Sequence, residues 1–328
     1  MITEVCRKHS DELFRTSIIQ QTSFWSNVKN RMGFETLAIN FKYGEIDSDI
    51  LVVIQSIDID RAIAYVPYGP EITPPEEERG AFLEELSECL RSFLPLNCVA
   101  IKYDLCWESF WETPPSAFAQ EFRMNLNTIY SNFQKCTSNI LPSNTVYVEL
   151  DTTPEGILNR MKPKTRYNIL LSERRGVEVK EYGSEFLDTW YSLYCETCIR
   201  NGLVIHDRGY FDTILTTNAS ETESPAEVRL LAALHDGKPL AALFLVITGR
   251  RGSYLYGAST SQDRGLMAPY ALQWRAMMIS KEKGCNEYDM FGIAPKADPT
   301  HPMYGLYRFK SGFGGEIYRT MGCWDYIL

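Results

Sequence analysis

LAALHDGKPLAALFLVITG, residues 231–249, is two apolar runs joined by Asp236-Gly237. An Asp-Gly pair between such runs marks a tight β-hairpin turn, because both turn positions need positive φ. A long hairpin therefore sits in the second half of the chain, and its neighbours decide what is built around it. Upstream, Thr153 can cap a helix that begins at Pro154, and Pro163 starts another that stops at Gly176. GVEVKEYG (176–183) reads as a strand and EFLDTWYSLYCETCIRNG (185–202) as a helix. TTNASETESPA (216–226) is the low-complexity stretch, expected to be a mobile surface loop. Downstream come the strand GSYLYGAS (252–259), the helix PYALQWRAMMISKEKG (269–284) and the strand EYDMFGI (287–293).

The first half repeats this grammar. Ser23 can cap a helix over SFWSNVKNRMGF, where Trp25, Val28 and Met32 recur at helical spacing. Strands LAINFKYG (37–44), ILVVIQSI (50–57) and RAIAYVPYG (61–69) follow. Then come the turn PEITPP, a helix over 76–94 with an acidic first turn, and a buried strand CVAIKYDL (98–105). NTVYVELD (144–151) opens the second half. No long heptad pattern indicates a coiled-coil arm.

Strand, helix, long hairpin, strand, helix and strand resembles the N-acetyltransferase (GNAT) α/β fold. That fold grips the CoA pyrophosphate with the N–H groups of a Q/R-x-x-G-x-G/A loop at a helix N-terminus. Here QDRGLMA (262–268) keeps Gln262 and Gly265 but puts Met267 at the final small position. A side chain of that bulk would crowd a pyrophosphate, which argues against a CoA thioester donor.

The chain has 328 residues, 45% hydrophobic and 23% charged, enough core for two domains. Its formal net charge of -9 argues against nonspecific coating of nucleic acid or anionic lipid. The N-terminus has no signal-peptide core, and no apolar run approaches the roughly 20 residues of a membrane span. Nine scattered Cys read as reduced cytoplasmic thiols. Cys195 and Cys198 form a lone CxxC in a helical pattern, read as packed thiols rather than a metal site. His9, His206, His235 and His301 fit no ligand or triad spacing, so none has a catalytic role here. No metal site, cofactor or nucleophile–base pair is expected.

Several segments, in one order over nearly the whole chain, resemble the Fem family (FemABX) of peptidoglycan-bridge aminoacyltransferases. They are WSNVKNRMGF (25–34), YVPYGP (65–70), MKPKTRYNILLSERRGV (161–177), YLYGAS (254–259), LQWRAM with YDMFGI (272–293) and YRFKSGFGG (307–315). The resemblance implies two tandem GNAT-like lobes, mixed sheets flanked by helices, of the arm-free FemX type. Residues 1–149 plus 313–328 would form the precursor-binding lobe, and 150–312 the aminoacyl-tRNA side. It further implies transfer of an amino acid from aminoacyl-tRNA to a side-chain amine of the muramyl stem peptide. The acceptor would be UDP-MurNAc-pentapeptide or lipid II, and the enzyme a cytoplasmic monomer without stable membrane insertion.

The same resemblance places Lys310 at the transfer site, stabilising the oxyanion or holding the tRNA end. Asp104 resembles the family's substrate-binding aspartate and could receive the amine's proton; from sequence alone it is equally a strand-end turn former. Lys29 and Arg208 match positions that clamp the precursor diphosphate, with Arg200 competing for the second role. Tyr103, Tyr210 and Tyr256 could line the same groove, although strand tyrosines are more often core.

The stretch RMKPKTRYNILLSERRG (160–176) carries six Lys or Arg and one Glu. At about 100° per residue, Lys164, Asn168, Arg174 and Arg175 share one arc, with Tyr167, Ile169, Leu170 and Leu171 on the rest. Lys164, Arg174 and Arg175 are the candidate tRNA contacts; a solvated basic face is the plain alternative. Arg166 falls on the apolar side, where a charge needs a partner, and is expected to pin the helix to a carboxylate or carbonyl. Two other functions fit the same fold: an acyl-CoA N-acyltransferase, and a noncatalytic muramyl-peptide-binding module.

Overall fold

The computed structural model describes residues 1–109, 111, 114–202, 204–301 and 303–328. The chain forms two compact units. One comprises 1–143, 219–225 and 319–328; the other comprises 144–218 and 226–318. The divisions thus fall at 143/144 and 318/319 rather than at 149/150 and 312/313, and a short internal segment returns to the first unit.

The first unit contains strands β1 (Ile2–Lys8), β2 (Glu35–Tyr43), β3 (Ile46–Ser56), β4 (Ala62–Pro67), β5 (Cys98–Glu108) and β6 (Phe133–Lys135). Its helices are α1 (Ser23–Arg31), α2 (Arg79–Arg91) and α3 (Ala117–Asn125). Alternation along β2 and β3 buries Leu37, Ile39, Phe41, Ile50 and Val52, which pack with Phe82, Leu83, Leu86 and Leu90 of α2. Neighbouring strands are antiparallel except β4 and β5, which run parallel through the α2 crossover. The cap of α1 is Thr22, whose hydroxyl accepts from Trp25 N at 3.1 Å, not Ser23. Ser23 is used differently: its N donates to Ser224 Oγ at 2.8 Å, and the two hydroxyls lie 2.9 Å apart. Ser224 is fully buried, so the stretch expected to be mobile is anchored at its C-terminal end by two polar contacts.

The second unit contains, in chain order, β7 (Asn144–Glu149), α4 (Pro154–Arg160), α5 (Pro163–Arg174), β8 (Glu178–Tyr182), α6 (Leu187–Asn201) and α7 (Arg208–Thr216). β9 (Glu227–His235), β10 (Lys238–Thr248), β11 (Arg251–Ser259), α8 (Ala268–Glu282), β12 (Glu287–Asp289) and α9 (Tyr304–Lys310) complete it. The hairpin is where the sequence puts it. His235 pairs with Lys238, and Asp236 (φ 48°) and Gly237 (φ 75°) form the two-residue turn. The sheet order is β7-β12-β11-β10-β9-β8, with β11 and β12 the parallel pair, joined through α8. Thus β2-β3-β4-α2-β5 and β9-β10-β11-α8-β12 are one arrangement of elements used twice. The last strand, β13 (Glu316–Ile327), pairs antiparallel with β5 and β6 in the first unit, burying Cys323, Trp324 and Tyr326.

Candidate functional site

Lys310 is the last residue of α9 and is 4% exposed. Its Nζ donates to the carbonyl oxygens of Phe291 (3.1 Å) and Gly292 (2.9 Å) and lies 4.9 Å from the centre of the Tyr254 ring. Burial pushes its pKa down from 10.5 to about 7, with the Asp289 carboxylate pulling the other way. The ammonium and neutral amine are therefore both populated at neutral pH.

The turn that presents those two carbonyls is organised by Asp289. Its Oδ1 accepts from Phe291 N at 2.8 Å and from the Thr145 hydroxyl, and Phe291 takes a left-handed φ of 57°. Burial raises the Asp289 carboxyl, against the opposing charge of Arg251. Arg251 in turn is held by Glu287 (Nε–Oε1 2.9 Å) and lies over the Tyr147 ring.

Behind Lys310, the chain of Ser311-Gly312-Phe313-Gly314-Gly315 runs against backbone. A Cβ at Gly314 (φ 79°) would sit 2.3 Å from Arg160 O, and one at Gly315 2.4 Å from Tyr147 O. Only glycine fits there.

Sequence patterns do not single out Asp289 or Tyr254, although both lie in segments that carry the family resemblance. A usable signal existed: Asp two residues before a Phe-Gly step, where an Asx-type turn takes the N–H at i+2.

Tyr254 reaches Lys310 because of a β-bulge. Leu245 pairs with Tyr254 and Phe244 with Tyr256, leaving Leu255 as the extra residue. Adjacent residues of β10 face opposite ways, so the bulge puts Tyr254 and Tyr256 on opposite faces of the sheet. Tyr256 joins Phe211, Phe244 and Tyr210, its hydroxyl 2.5 Å from that of Tyr210, with His206 stacked on the Tyr210 ring at 4.3 Å. Tyr210 and Tyr256 are thus brought together, on the other side of the sheet from Lys310. Burial pushes the Tyr210 phenol up to about 12.

Arg208, at the start of α7, is exposed and its Nε pairs with Asp188 at 2.5 Å. The competing Arg200 is knit into the end of β11, donating to Ser259 O (3.0 Å), Ser261 Oγ (3.1 Å) and Ser259 Oγ (3.2 Å).

In the first unit, Asp104 is 1% exposed in the middle of β5, which runs on to Glu108, and not at a strand end. Its Oδ2 accepts from the Tyr65 hydroxyl (2.6 Å) and Leu141 N (2.9 Å), and burial raises its pKa. Tyr103, next along the strand, faces the other way into the α2 core with no exposed surface, its hydroxyl 2.9 Å from Ser87 Oγ. It therefore lines no open groove; strand alternation sends Asp104 and Tyr103 to opposite faces. Lys29 is half-buried beside the Trp25 and Phe34 rings (5.0 and 5.4 Å), and burial lowers its pKa.

On α5 the buried face is Thr165, Asn168, Ile169 and Ser172, so Asn168 leaves the basic arc, while Tyr167 and Leu170 are exposed. Lys164, Arg174 and Arg175 are exposed. Arg174 stays local, its Nε on Leu170 O at 3.3 Å, but Arg175 donates to Gly265 O. Arg166 donates to the carbonyls of Leu158, Asn159 and Met161 at the C-terminal end of α4, carbonyl partners of the kind its position required.

The loop Arg175 touches is the QDRGLMA stretch. The N–H groups of Ser261, Gln262, Leu266, Met267 and Tyr270 all have partners within the protein, and Met267 holds φ 60° as the residue before α8. Within the loop itself, Gln262, Leu266 and Met267 are therefore not donors to a bound phosphate.

Among the described residues, no group of three or more His, Cys, Asp or Glu side chains is placed to hold a metal ion, and no helix is long and apolar enough to cross a membrane.

A sequence model of the FemAB family matches residues 4–226 and 218–328. Lipid II:glycine glycyltransferase of Staphylococcus aureus is 24% identical over 251 residues, covering 58% of this chain and 60% of that protein. The chain therefore spans about 60% of the length of the curated relatives it matches. Among solved structures, FemX superposes with a TM-score of 0.78 at 18% identity, covering 99% of this chain and 98% of FemX. A tandem GNAT protein from the clavulanic acid biosynthesis pathway gives 0.55 at 12% identity, covering 99% and 98%. Both likenesses speak for the fold, two tandem GNAT-like lobes. Matched by the family's sequence model across nearly its whole length, this chain belongs to the FemAB family.

Proposed function

We propose that the protein is a cytoplasmic aminoacyltransferase that joins an amino acid to the stem peptide of a peptidoglycan precursor. The donor is aminoacyl-tRNA; the acceptor is the side-chain amine of UDP-MurNAc-pentapeptide or lipid II. The observation that carries this reading is the buried Lys310, held by two carbonyls and poised near pKa 7. The name of the staphylococcal relative, a lipid II:glycine glycyltransferase, supports the choice of acceptor and of an amino acid as cargo.

The reaction is aminolysis of an activated ester, so positioning counts for more than activation. The acceptor amine, with an ordinary pKa near 10.4, must lose a proton before its nitrogen attacks the ester carbonyl. The family resemblance is the ground for proposing Asp104, in the first unit, as the acceptor of that proton. The carbonyl oxygen becomes an oxyanion, which the Lys310 ammonium stabilises. Collapse forms the amide and breaks the ester bond, and the tRNA terminal hydroxyl leaves with a proton. Lys29 in the first unit and Arg208 in the second are each a candidate for the precursor diphosphate; the exposed Arg208 suits this better than Arg200, whose guanidinium is spent on Ser259 and Ser261. Lys164 and Arg174 meet the tRNA backbone.

The test is incubation of pure protein with each precursor and a mixture of charged tRNAs, reading products by mass. A precursor enlarged by one amino acid is expected. Precursor binding with no transfer from any aminoacyl-tRNA would leave a binding module instead. Lys310→Ala should lower turnover by about 10²–10³-fold, the usual cost of removing one oxyanion donor, with precursor affinity little changed. Undiminished turnover would remove Lys310 from the chemistry.

A further inference from the structure

Two thiols of the first unit meet beside a lysine. Lys102 Nζ lies 3.2 Å from Cys136 Sγ, 3.9 Å from Cys323 Sγ and 2.6 Å from Asp325. The strand register explains the meeting. β6 runs antiparallel to β13 with Lys135 opposite Trp324, so the next facing pair is Cys136 and Cys323, and Cys136 N donates to Cys323 O at 3.2 Å. Directly opposed residues of an antiparallel pair have Cα atoms about 4.5–5.5 Å apart, inside the range that a disulfide spans.

The two sulfurs are not equivalent. Cys136 is half-buried and Cys323 is buried. The hydrogen bond from the Cys323 thiol, with the Lys102 ammonium alongside, holds Cys136 below the usual thiol range; the same bond and burial push Cys323 up. Lys135 bonds to Cys323 O, and Asp104 lies opposite Cys323 on β5; these two and Asp325 complete the charged surroundings. Nothing in the proposed transfer uses either thiol.

We infer that Cys136 and Cys323 are a peroxide-sensitive dithiol, Cys136 being oxidised first and Cys323 closing a disulfide between β6 and β13. The Cys136 thiolate attacks hydrogen peroxide, the O–O bond breaks, and hydroxide leaves to become water, giving the sulfenic acid. The Cys323 sulfur then attacks the Cys136 sulfur, forming S–S, breaking S–O and releasing a second water. In sum, two thiols and one peroxide give a disulfide and two waters, and an external dithiol reverses the change. The cross-link would tie down the segment from Cys136 to Leu141, whose Leu141 N–H holds the Asp104 carboxylate.

The test needs no substrate and is independent of the transfer reading. The full chain is treated with equimolar hydrogen peroxide, alkylated, digested without reductant and mapped by mass. A peptide joining Cys136 to Cys323 is expected, abolished by dithiothreitol treatment. In Cys323→Ser, Cys136 should accumulate as a dimedone-trapped sulfenic acid. Lys102→Met should slow iodoacetamide labelling of Cys136 severalfold. A cross-link confined to Cys195 and Cys198, or Cys136 reacting no faster than the exposed Cys6, would overturn the proposal.

Discussion

At Lys310 the fold keeps a cation where burial works against it, and the cost has a definite pH dependence. Its pKa is about 7 folded and 10.5 in the ordinary state. Between those values the unfolded chain binds the extra proton, so this residue's contribution to stability improves as pH rises. Below pH 7 both states are charged and the full burial cost is felt. Lys310→Met should therefore be more stable than wild type by the largest margin below pH 7. That margin should narrow towards pH 10.5 by at most about 1.4 kcal/mol per pH unit, followed by urea unfolding across the range. A constant margin would contradict the placement. In Asp289→Asn the carboxylate that favours the ammonium is gone, so the same window should open at lower pH. The sequence resemblance pointed to Lys310, but its depressed pKa comes from burial, opposed by the Asp289 carboxylate, and only folding imposes either.

Helix α5 shows what periodicity leaves open at the level of an element. Its start at Pro163 and its end before Gly176 follow from local chemistry, and the structure agrees. Its faces were less legible. With Thr165, Asn168, Ile169 and Ser172 buried, the inward stripe is three-quarters polar, and a hydrophobic count over twelve residues misplaces it. The three basic residues also part company. Arg175 is committed to Gly265 O, so Arg175→Ala should lower Tm by about 2–4 °C through release of the 262–268 loop. Lys164→Glu with Arg174→Glu should leave Tm nearly unchanged. In a transfer assay the pair should weaken use of tRNA and flatten the slope of log affinity against log salt by about one for each phosphate no longer bound. Equal behaviour of all three in both measurements would return them to a solvated face.

For the whole molecule, the decisive fact is that the first unit is completed by residues 319–328, the far end of the chain. β13 covers β5, and its Trp324, Tyr326 and Cys323 are at most 1% exposed. Losing one buried aromatic costs about 3–5 kcal/mol, and deleting 319–328 removes two together with a strand. The truncated chain should be insoluble or bind a dye for exposed apolar surface; a soluble product with wild-type Tm would show the strand to be dispensable. Such a long-range closure also means that the first unit cannot finish folding until residues 319–328 have been made.

The sequence by itself determined the repeated strand–helix grammar, the Asp236-Gly237 turn and the family, but not β1, α3, β6, α7 or β13. Each rests on local rules: turn dihedrals, side-chain period and the ordered run of matching segments. Tertiary structure alone decided that one extra residue in β11 turns Tyr254 towards Lys310 and Tyr256 away from it, that Asp104 and Tyr103 face opposite sides of β5, and that Arg175 closes a loop 90 positions distant. Periodicity tells a residue which side is inward; what it meets there is set by segments remote in the chain.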